Sequence, residues 1–287
     1  MHVSIIPAAG LATRFLPASK CIPKEMFPIL DKPAIQYVAE EAVSAGNKSI
    51  VFVTSPGKES ILDHFDTINP KFPLEKLDVK TKKEISSLNE LVEVISVRQK
   101  NPKGLGHAVL KGAQTSGENS FSVLLPDMLL FPKKEGDSSM KKMMELHKKT
   151  GASVIALMEV HESKKHMYGI IEGITTEKNI VDINKLMEKP TSEETDSCLA
   201  IVGRYIFTNK MKHLLERTKP GKKGEIDLTD AMTELLKTEN VYGLIIDDDS
   251  KVFDTGNSEG FVLANAYLGM KKLQIANELH DILEDTD

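Results

Sequence analysis

Short apolar runs alternate with amphipathic stretches along the first 160 residues. The runs are short and rich in β-branched side chains, which is typical of buried strands. We predict strands at Val3–Ile6, Ser49–Thr54, Val92–Val97, Phe121–Leu125 and Ser153–Val160. Apolar residues at helical spacing predict helices at Ala34–Ala45, Gly106–Ala113 and Ser138–Lys149. This alternation of strands and helices predicts an α/β fold with a doubly wound, mainly parallel sheet.

The pattern changes near residue 160. Strand-like segments follow at Tyr168–Ile174, Ile180–Met187, Leu199–Phe207 and Val241–Ile246. Helical segments lie near residues 209–217 and 227–237, and a long helical pattern runs from Ser258 to about Leu283. We expect a single domain with three parts, at about residues 1–158, 159–257 and 258–287.

Polar, small or charged residues follow three of the predicted strands. They are Pro7–Arg14 after the first strand, Arg98, Gln99 and Gly104–His107 after the third, and Pro126–Asp127 after the fourth. Ligands of such sheets bind beyond the carboxyl ends of the strands. We therefore expect these segments to converge on one crevice.

The loop after the first strand is the strongest local signal. Ala8, Ala9 and Gly10 leave backbone N–H groups open to the close approach of a nucleotide, and Arg14 adds a positive charge suited to phosphate oxygens. The loop matches neither the P-loop pattern nor G-x-G-x-x-G. From these residues alone, a tight strand-to-helix turn without a ligand remains an equal alternative.

Composition narrows the class of protein. The 287 residues carry a net charge of −5, which argues against nucleic-acid binding by bulk charge but not against a small anion held by a few local cations. The two cysteines, Cys21 and Cys198, are expected to be reduced thiols of a cytoplasmic protein. No apolar stretch is long enough to span a membrane, and the N-terminus lacks a signal-peptide pattern.

Longer motifs carry a family resemblance. Ala8–Pro17 and Pro23–Pro33 resemble the signature of bacterial sugar-1-phosphate nucleotidyltransferases. Further matches follow in the family's order over about residues 3–270. They are Val97–Gln99, Gly104–Ala108, Leu125–Asp127, Tyr168–Gly169, Glu188–Pro190, Ile201–Tyr205, Glu225–Asp230 and Asp254–Asn257.

The resemblance implies a fold and a reaction. It implies a Rossmann-like nucleotide-binding part, an integrated sugar-binding β part and a C-terminal helix. The expected substrates are UTP and glucose 1-phosphate, the products UDP-glucose and pyrophosphate, the cofactor Mg²⁺, and the assembly a homo-oligomer, either a dimer or a tetramer. Alternatives left open are the same chemistry with another base or sugar, such as thymidylyl transfer, and a catalytically weak regulatory paralogue that binds nucleotide sugar.

The resemblance also implies residue roles. Backbone atoms of Ala8, Ala9, Gly10 and Leu11 would meet the uracil and ribose, Gln99 and Gly104 would read the uracil edge, and Glu25 would touch the ribose. Arg14 and Lys24 would hold the triphosphate. Gly169, Glu188 and Lys189 would hold glucose 1-phosphate, with Lys189 on its phosphate, and Asp127 and Asp254 would bind one Mg²⁺ between them.

Elementary chemistry is consistent with these roles. Two highly anionic reactants must meet, so cations have to cancel their repulsion, and Mg²⁺ often takes only one or two carboxylates plus substrate phosphates. Structural alternatives are a loop or helix-cap role for Asp127 and an exposed ion pair for Glu188 and Lys189. His107 follows the opening of a helix, so we do not expect it to be catalytic.

Three positions depart from the family's pattern. Ala12 stands where the family usually has a second loop glycine. Gly224 and Asp227 stand where it usually has Asp and Gln. We expect an ordinary negative φ at Ala12, on the view that a glycine here only leaves room for the nucleotide.

Overall fold

A nine-stranded sheet and two small two-stranded sheets organise the molecule. The structure is a computed structural model, and it describes residues 3–66, 74–79, 81–82, 93–117, 120–134, 136–221, 224–247 and 249–284. Its strands are β1 (Val3–Pro7), β2 (Pro28–Ile29), β3 (Lys32–Pro33), β4 (Ser49–Thr54), β5 (Glu93–Arg98), β6 (Ser120–Leu124), β7 (Met128–Phe131), β8 (Ser153–Glu159), β9 (Gly169–Glu177), β10 (Ile180–Glu188), β11 (Leu199–Thr208), β12 (Val241–Ile245) and β13 (Lys251–Asp254). The predicted strands are confirmed to within a few residues, except that Val92 lies outside the described residues.

Helices flank the sheet on both faces. They are α1 (Ala34–Ser44), α2 (Glu59–Phe65), α3 (Leu105–Ser116), α4 (Ser139–Thr150), α5 (Asn209–Arg217), α6 (Leu228–Leu236), α7 (Ser258–Leu268) and α8 (Ala276–Glu284). Local sequence determines where some of these helices begin or end. Ser138 caps α4 by accepting a hydrogen bond from the N–H of Lys141, and Gly46, with φ of 91°, follows the end of α1.

The large sheet has the strand order β5-β4-β1-β6-β11-β8-β12-β10-β9. Its first four strands are parallel, with Val3 opposite both Ser49 and Phe121. β11 then runs antiparallel to β6 and β8, and β9 and β10 form an antiparallel pair. The predicted parallel arrangement thus holds for the first half of the sheet, while the second half is mixed.

Two apolar clusters fill the space on either side of the sheet. Because successive strand residues point to opposite faces, Ile6 joins one cluster with α1 and α4, and its neighbour Ile5 joins the other with α3, α5 and α6. Both side chains are fully buried. This packing leaves the carboxyl ends of β1, β5 and β6 at a common edge.

The C-terminal helix is interrupted. The single helix expected from Ser258 to about Leu283 is present as α7 and α8, separated by a π-helical turn at Gly269–Leu273. The break follows from Gln274, which adopts the left-handed region with φ of 59° and so cannot continue a right-handed helix. Apolar periodicity continues across the break, which is why the pattern alone predicts one helix.

Candidate active site

Two adjoining cavities lie at the edge where the parallel strands end. The first cleft has a volume of about 430 Å³ and the second about 330 Å³. The two share four lining residues, which are Leu105, Leu125, Asp127 and Glu225. The expected site residues are distributed between them. The first cleft holds Ala9, Gly10, Leu11, Lys24, Glu25, Gln99 and Gly104. The second holds Arg14, Gly169, Glu188, Lys189 and Asp254.

The loop after β1 forms one wall of the first cleft. Gly10 and Leu11 are exposed, and Ala9 also lines the cavity. The prediction of an open N–H group is wrong for Ala8. This residue is fully buried, and its N–H donates to the carbonyl of Val53. This bond continues the β1–β4 ladder by one residue. Ala8 therefore anchors the loop from behind, while the next residues face the cavity.

The prediction of a negative φ at Ala12 is also wrong. Its φ of 52° and ψ of 37° lie in the left-handed region, and not at ordinary negative φ. There its carbonyl accepts from the N–H of Phe15 at 3.0 Å and from the Ser19 hydroxyl at 2.7 Å. A left-handed conformation costs an L-residue roughly 1–2 kcal/mol relative to its preferred regions. The loop therefore requires the backbone geometry that a glycine would adopt more readily.

Glu25 is paired before any ligand arrives. Its carboxylate accepts two hydrogen bonds from Lys58 Nζ, at 2.9 and 2.7 Å, and the side chains are only 2% and 8% exposed. Burial lowers the pKa of Lys58 below its ordinary value, although the Glu25 carboxylate opposes this. Lys58 precedes α2, and no sequence pattern distinguished it from an ordinary surface lysine. The pair fixes Glu25 at the base of the first cleft.

The ammonium group of Lys24 contacts Asp127, which is one of the two residues expected to bind Mg²⁺. Its Nζ lies 2.5 Å from Asp127 Oδ2. Burial alone would lower the pKa of Lys24, but the carboxylates of Asp127, Glu25 and Asp254 raise it above its ordinary value. The ammonium group is therefore charged at neutral pH, at the boundary between the two clefts.

Asp127 and Asp254 come together through a short antiparallel ladder. Asp127 immediately precedes β7, and Asp254 ends β13, where it pairs with Met128. Thr255 donates both its N–H and its hydroxyl to the carbonyl of Asp127. A Cβ atom on Gly256 would lie 2.9 Å from both Asp127 Oδ2 and Asp254 Oδ1, so the two carboxylates converge over this glycine. The expected neighbourhood of the two aspartates is thus present.

Arg204 holds the turn that carries Asp127. Its side chain is fully buried in β11 and donates to the carbonyls of Leu125 and Met128, at 3.1 and 2.7 Å, on either side of Asp127. The guanidinium group also donates to both carboxylate oxygens of Glu41, so its charge is paired. A buried arginine can satisfy several acceptors at once because it has five N–H donors. Arg204 belongs to the Ile201–Tyr205 motif, but the sequence alone does not predict this role.

The far wall of the first cleft is built around Gln99 and Gly104. Gln99 follows β5, donates its backbone N–H to Thr54, and forms a 2.6 Å side-chain contact with His107. Gly104 has φ of 87°, and a Cβ on it would lie 2.8 Å from Glu225 Cβ. Only glycine fits this approach without displacement. The close packing brings Glu225 to the junction of the two clefts.

In the second cleft, neighbouring strands bring Gly169 and Glu188 together. They are paired in the β9–β10 ladder, and Glu188 accepts a 2.8 Å hydrogen bond from the Thr229 hydroxyl. Lys189 follows with a left-handed φ of 48°, and its N–H donates to Tyr168. Its Nζ lies 3.7 Å from Glu188 Oε1, and both side chains are about half exposed, at 54% and 49%. The pair is thus held by its backbone, with two exposed side chains.

Arg14 and Asp227 also line this cleft, and Gly224 directly precedes Glu225, which lines it as well. Arg14 is exposed and lines the second cleft, whereas its expected role on the triphosphate placed it with the first. Gly224 has φ of 75°, a conformation that suits glycine better than the aspartate usual in the family. Asp227 lines the cavity at the N-terminus of α6. These two departures leave the connection around Glu225 intact.

A membrane-spanning helix is absent from the described residues, since none is both long and apolar enough. Within the same residues, no cluster of three or more His, Cys, Asp or Glu side chains is arranged to hold a metal ion.

Comparison with known proteins identifies the family. The nucleotidyl transferase family model matches residues 3–270. The chain belongs to this nucleotidyl transferase family. A relative from Bacillus subtilis, named UTP–glucose-1-phosphate uridylyltransferase, is 39% identical over 285 residues, covering 98% of this chain and 95% of the relative.

Solved structures agree with this assignment. A UDP-glucose pyrophosphorylase complexed with UDP-glucose superposes with a TM-score of 0.86 at 38% identity, covering 95% of this chain and all of the other. A UTP-bound enzyme of the same kind from Acinetobacter baumannii gives a TM-score of 0.87 at 35% identity, with both chains fully covered. At these identities the likeness extends beyond the fold to the sequence.

Proposed function

We propose that the protein transfers the uridylyl group of UTP to glucose 1-phosphate, releasing UDP-glucose and pyrophosphate. The observation that carries the proposal is the meeting of the two clefts at Asp127, with Asp254 beside it. One reactant fits each cleft, and their phosphates meet at the shared boundary. The relatives named for this activity, and the solved structures with UTP and UDP-glucose, support the choice of nucleotide and sugar.

The first cleft is assigned to UTP. The backbone from Ala9 to Leu11 faces the uracil and ribose, and Gln99 and Gly104 face the base edge from the opposite wall. Glu25 stands beside the ribose, held by Lys58. Because these groups are tied to the sheet or to one another, UTP meets a wall that needs little reorganisation.

The second cleft is assigned to glucose 1-phosphate. Glu188 accepts hydrogen bonds, which suits sugar hydroxyl groups, and Lys189 offers a cation for the phosphate. Arg14 lies on the same side and adds a second positive charge near the reacting phosphates. These exposed cations offset the repulsion between two anionic substrates.

The convergence of Asp127 and Asp254 fits a single Mg²⁺. Magnesium prefers oxygen ligands and often takes one or two carboxylates together with substrate phosphates, and the two aspartates supply that number. When bound, Mg²⁺ would supply Lewis-acid polarisation of phosphate oxygens and a template for the two substrates. Lys24 would then be free to face the phosphates of the nucleotide.

The reaction needs no covalent enzyme intermediate. The phosphate oxygen of glucose 1-phosphate is already an anion and attacks the α-phosphorus of UTP, while the bond to the pyrophosphate oxygen breaks on the opposite side. Holding the reacting atoms ~3–3.5 Å apart supplies much of the acceleration. Arg14, Lys24 and Lys189 stabilise the charge that shifts toward the leaving group.

We also propose a homo-oligomer in the cytoplasm. Exposed large apolar side chains occur along the C-terminal helices and the turn between them, and they are Val262, Leu263, Met270, Leu273 and Ile282. Such exposure supports an interface with a second copy. The two cysteines form no disulfide, which supports a reducing compartment. Sedimentation of the purified protein tests the first point, and a monomer at all concentrations would refute it.

Pyrophosphate release tests the proposed reaction. The purified protein is supplied with Mg²⁺, glucose 1-phosphate and, separately, UTP, dTTP, ATP or GTP. We expect the largest kcat/KM with UTP, and no release when the sugar phosphate is omitted. Preference for dTTP would indicate a thymidylyl transfer, and binding without turnover would indicate a regulatory paralogue; either result would overturn the proposal.

A further inference from the structure

Gln99 and His107 form a side-chain contact that the proposed chemistry does not use. The distance between Gln99 Nε2 and His107 Nδ1 is 2.6 Å. Both residues are held by their backbones. Gln99 donates its N–H to Thr54, and Gly106, next to His107, donates its N–H to Ile226. The contact therefore joins two rigid elements, the end of β5 and the first turn of α3.

The contact determines which way the Gln99 amide faces. An amide has one acceptor end and one donor end, so Nε2 donating to His107 leaves Oε1 free. Within the described part of the chain, Oε1 accepts no hydrogen bond, and it is not among the buried polar atoms that lack a partner. Since Gln99 lines the first cleft, its free acceptor is available to a ligand there.

The hydrogen bond from Gln99 requires a neutral imidazole at His107. Burial lowers the pKa of His107 below its ordinary value, and the nearby cations Lys111 and Lys103 lower it further. A neutral ring can keep its proton on Nε2 and accept at Nδ1, whereas a protonated ring could only donate. At neutral pH the ring therefore acts as an acceptor toward Gln99.

We propose that His107 is a positioning residue that fixes the Gln99 amide with Oε1 toward the base, and thereby favours uracil over cytosine. This inference rests on the proposed function, which places the base in the first cleft. Uracil carries an N–H at N3, which can donate to Oε1. Cytosine has a lone pair at N3, which Oε1 repels. A base edge with the wrong polarity leaves both acceptors unpaired, and this is the strongest source of discrimination in a closed site.

Two variants separate positioning from mere structural support. His107→Ala removes the acceptor, so that the amide can turn and present its NH₂ group to cytosine. His107→Asp supplies only acceptor atoms in nearly the same place, so that the amide keeps its orientation. Both substitutions suit the first turn of a helix, since alanine has the highest helix propensity and aspartate is favourable near an N-terminus. Circular dichroism and thermal unfolding verify that both variants fold.

The measurement is kcat/KM for UTP, CTP and dTTP with glucose 1-phosphate, from pyrophosphate release. For His107→Ala, we expect the UTP-to-CTP ratio to fall by about tenfold, the scale of one hydrogen bond. The UTP-to-dTTP ratio should stay within about threefold, because thymine and uracil share the same N3–H edge. His107→Asp should keep the wild-type UTP-to-CTP ratio, even if its added charge lowers all three rates together.

The outcomes distinguish this inference from the proposed function. Equal losses with UTP and CTP in His107→Ala would mean that His107 only supports the fold, which would overturn the inference and leave the proposed function standing. The same conclusion follows if His107→Asp loses discrimination as His107→Ala does. A wild-type protein that does not prefer UTP would overturn the proposed function together with the inference.

Discussion

The two clefts share the Asp127 boundary but are built in different ways. In the first cleft, the lining residues Glu25 and Gln99 are almost completely buried, and each is hydrogen-bonded to another side chain, Glu25 to the buried Lys58 and Gln99 to His107. In the second cleft, Glu188 and Lys189 are about half exposed, and their nearest charge contact is a 3.7 Å pair with each other. The first cleft is thus rigid before ligand binding, while the second presents exposed charges.

The difference follows from the sheet. The first cleft lies at the ends of the parallel strands β1, β5 and β6, which pack between apolar clusters on both faces of the sheet. The second is built on the antiparallel pair β9 and β10 at the opposite end of the strand order, where the residues of β9 from Gly173 to Glu177 are exposed. We therefore expect changes in the first cleft to cost stability, and changes in the second to cost mainly ligand affinity.

Removing Lys58 should have the largest effect on stability. Lys58→Ala leaves the buried carboxylate of Glu25 without its partner, and breaking a buried ion pair in this way costs about 3–5 kcal/mol of unfolding free energy. Denaturant unfolding measures the loss. The matched control is Lys133→Ala, whose pair with Asp249 is exposed, and which should change stability little. Equal losses in the two variants would contradict the rigidity of the first cleft.

Removing either of the two converging carboxylates, Asp127 or Asp254, should abolish most of the activity. Asp127→Asn or Asp254→Asn should lower kcat by at least ~100-fold, the scale of losing one preorganised electrostatic group. Asp254→Asn is the cleaner variant, because Asp127 is also paired with Lys24 and its loss leaves that charge without its nearest partner. Steady-state rates in saturating Mg²⁺ provide the measurement, with Asp249→Asn as the control. Near-wild-type turnover would refute the assignment of the metal site.

Removing the Lys189 side chain should weaken the binding of glucose 1-phosphate and leave the binding of UTP almost unchanged. Lys189→Ala should reduce glucose 1-phosphate affinity by roughly 2–3 kcal/mol, as expected for a hydrogen bond to a charged group. UTP affinity and the free energy of unfolding should change much less, because the side chain is half exposed. Calorimetric titration of each ligand separates the two effects, and the control is Lys185→Ala, at a half-exposed lysine of β10 that lines neither cleft. A loss of affinity mainly for UTP would show that Lys189 does not contact glucose 1-phosphate as proposed.

The smallest expected effect is at Ala12. Ala12→Gly relieves a left-handed conformation that costs an L-residue roughly 1–2 kcal/mol, but it also widens the unfolded ensemble by roughly 0.4–1 kcal/mol. We therefore expect a net stabilisation of up to about 1 kcal/mol and a change in UTP affinity within about tenfold. Chemical unfolding and calorimetry measure both. Destabilisation by Ala12→Gly would mean that the loop tolerates alanine without strain.

Periodicity and strand-end chemistry predicted much of this structure. Short β-branched runs are specific enough to locate the strands of the buried sheet, and the rule for ligand binding at strand ends indicated where Gln99 and Asp127 would meet the first loop. Asp127 and Asp254 are 127 positions apart in the sequence, and only the family resemblance predicted that they lie close together. The β7–β13 ladder that joins them is too short to produce a clear pattern.

Other features depend on tertiary contacts that leave no local pattern. Lys58 resembles any surface lysine until the fold brings it to Glu25. Arg204 lies in an apolar strand, and nothing in the strand itself indicates which carbonyl groups it will reach. The left-handed φ of Ala12 is imposed by the loop that surrounds it, so residue type alone predicts the wrong conformation there. Each of these is a case in which tertiary structure overrides local preference.

If the two clefts act together in one displacement, exchange of label between pyrophosphate and UTP must depend on glucose 1-phosphate. The protein is incubated with Mg²⁺, UTP and labelled pyrophosphate, with and without glucose 1-phosphate, and label in UTP is measured. We predict no exchange without the sugar phosphate and clear exchange with it, because pyrophosphate can return to UTP only from UDP-glucose. Exchange without the sugar phosphate would reveal a uridylyl-enzyme intermediate, and would contradict direct transfer between the two clefts.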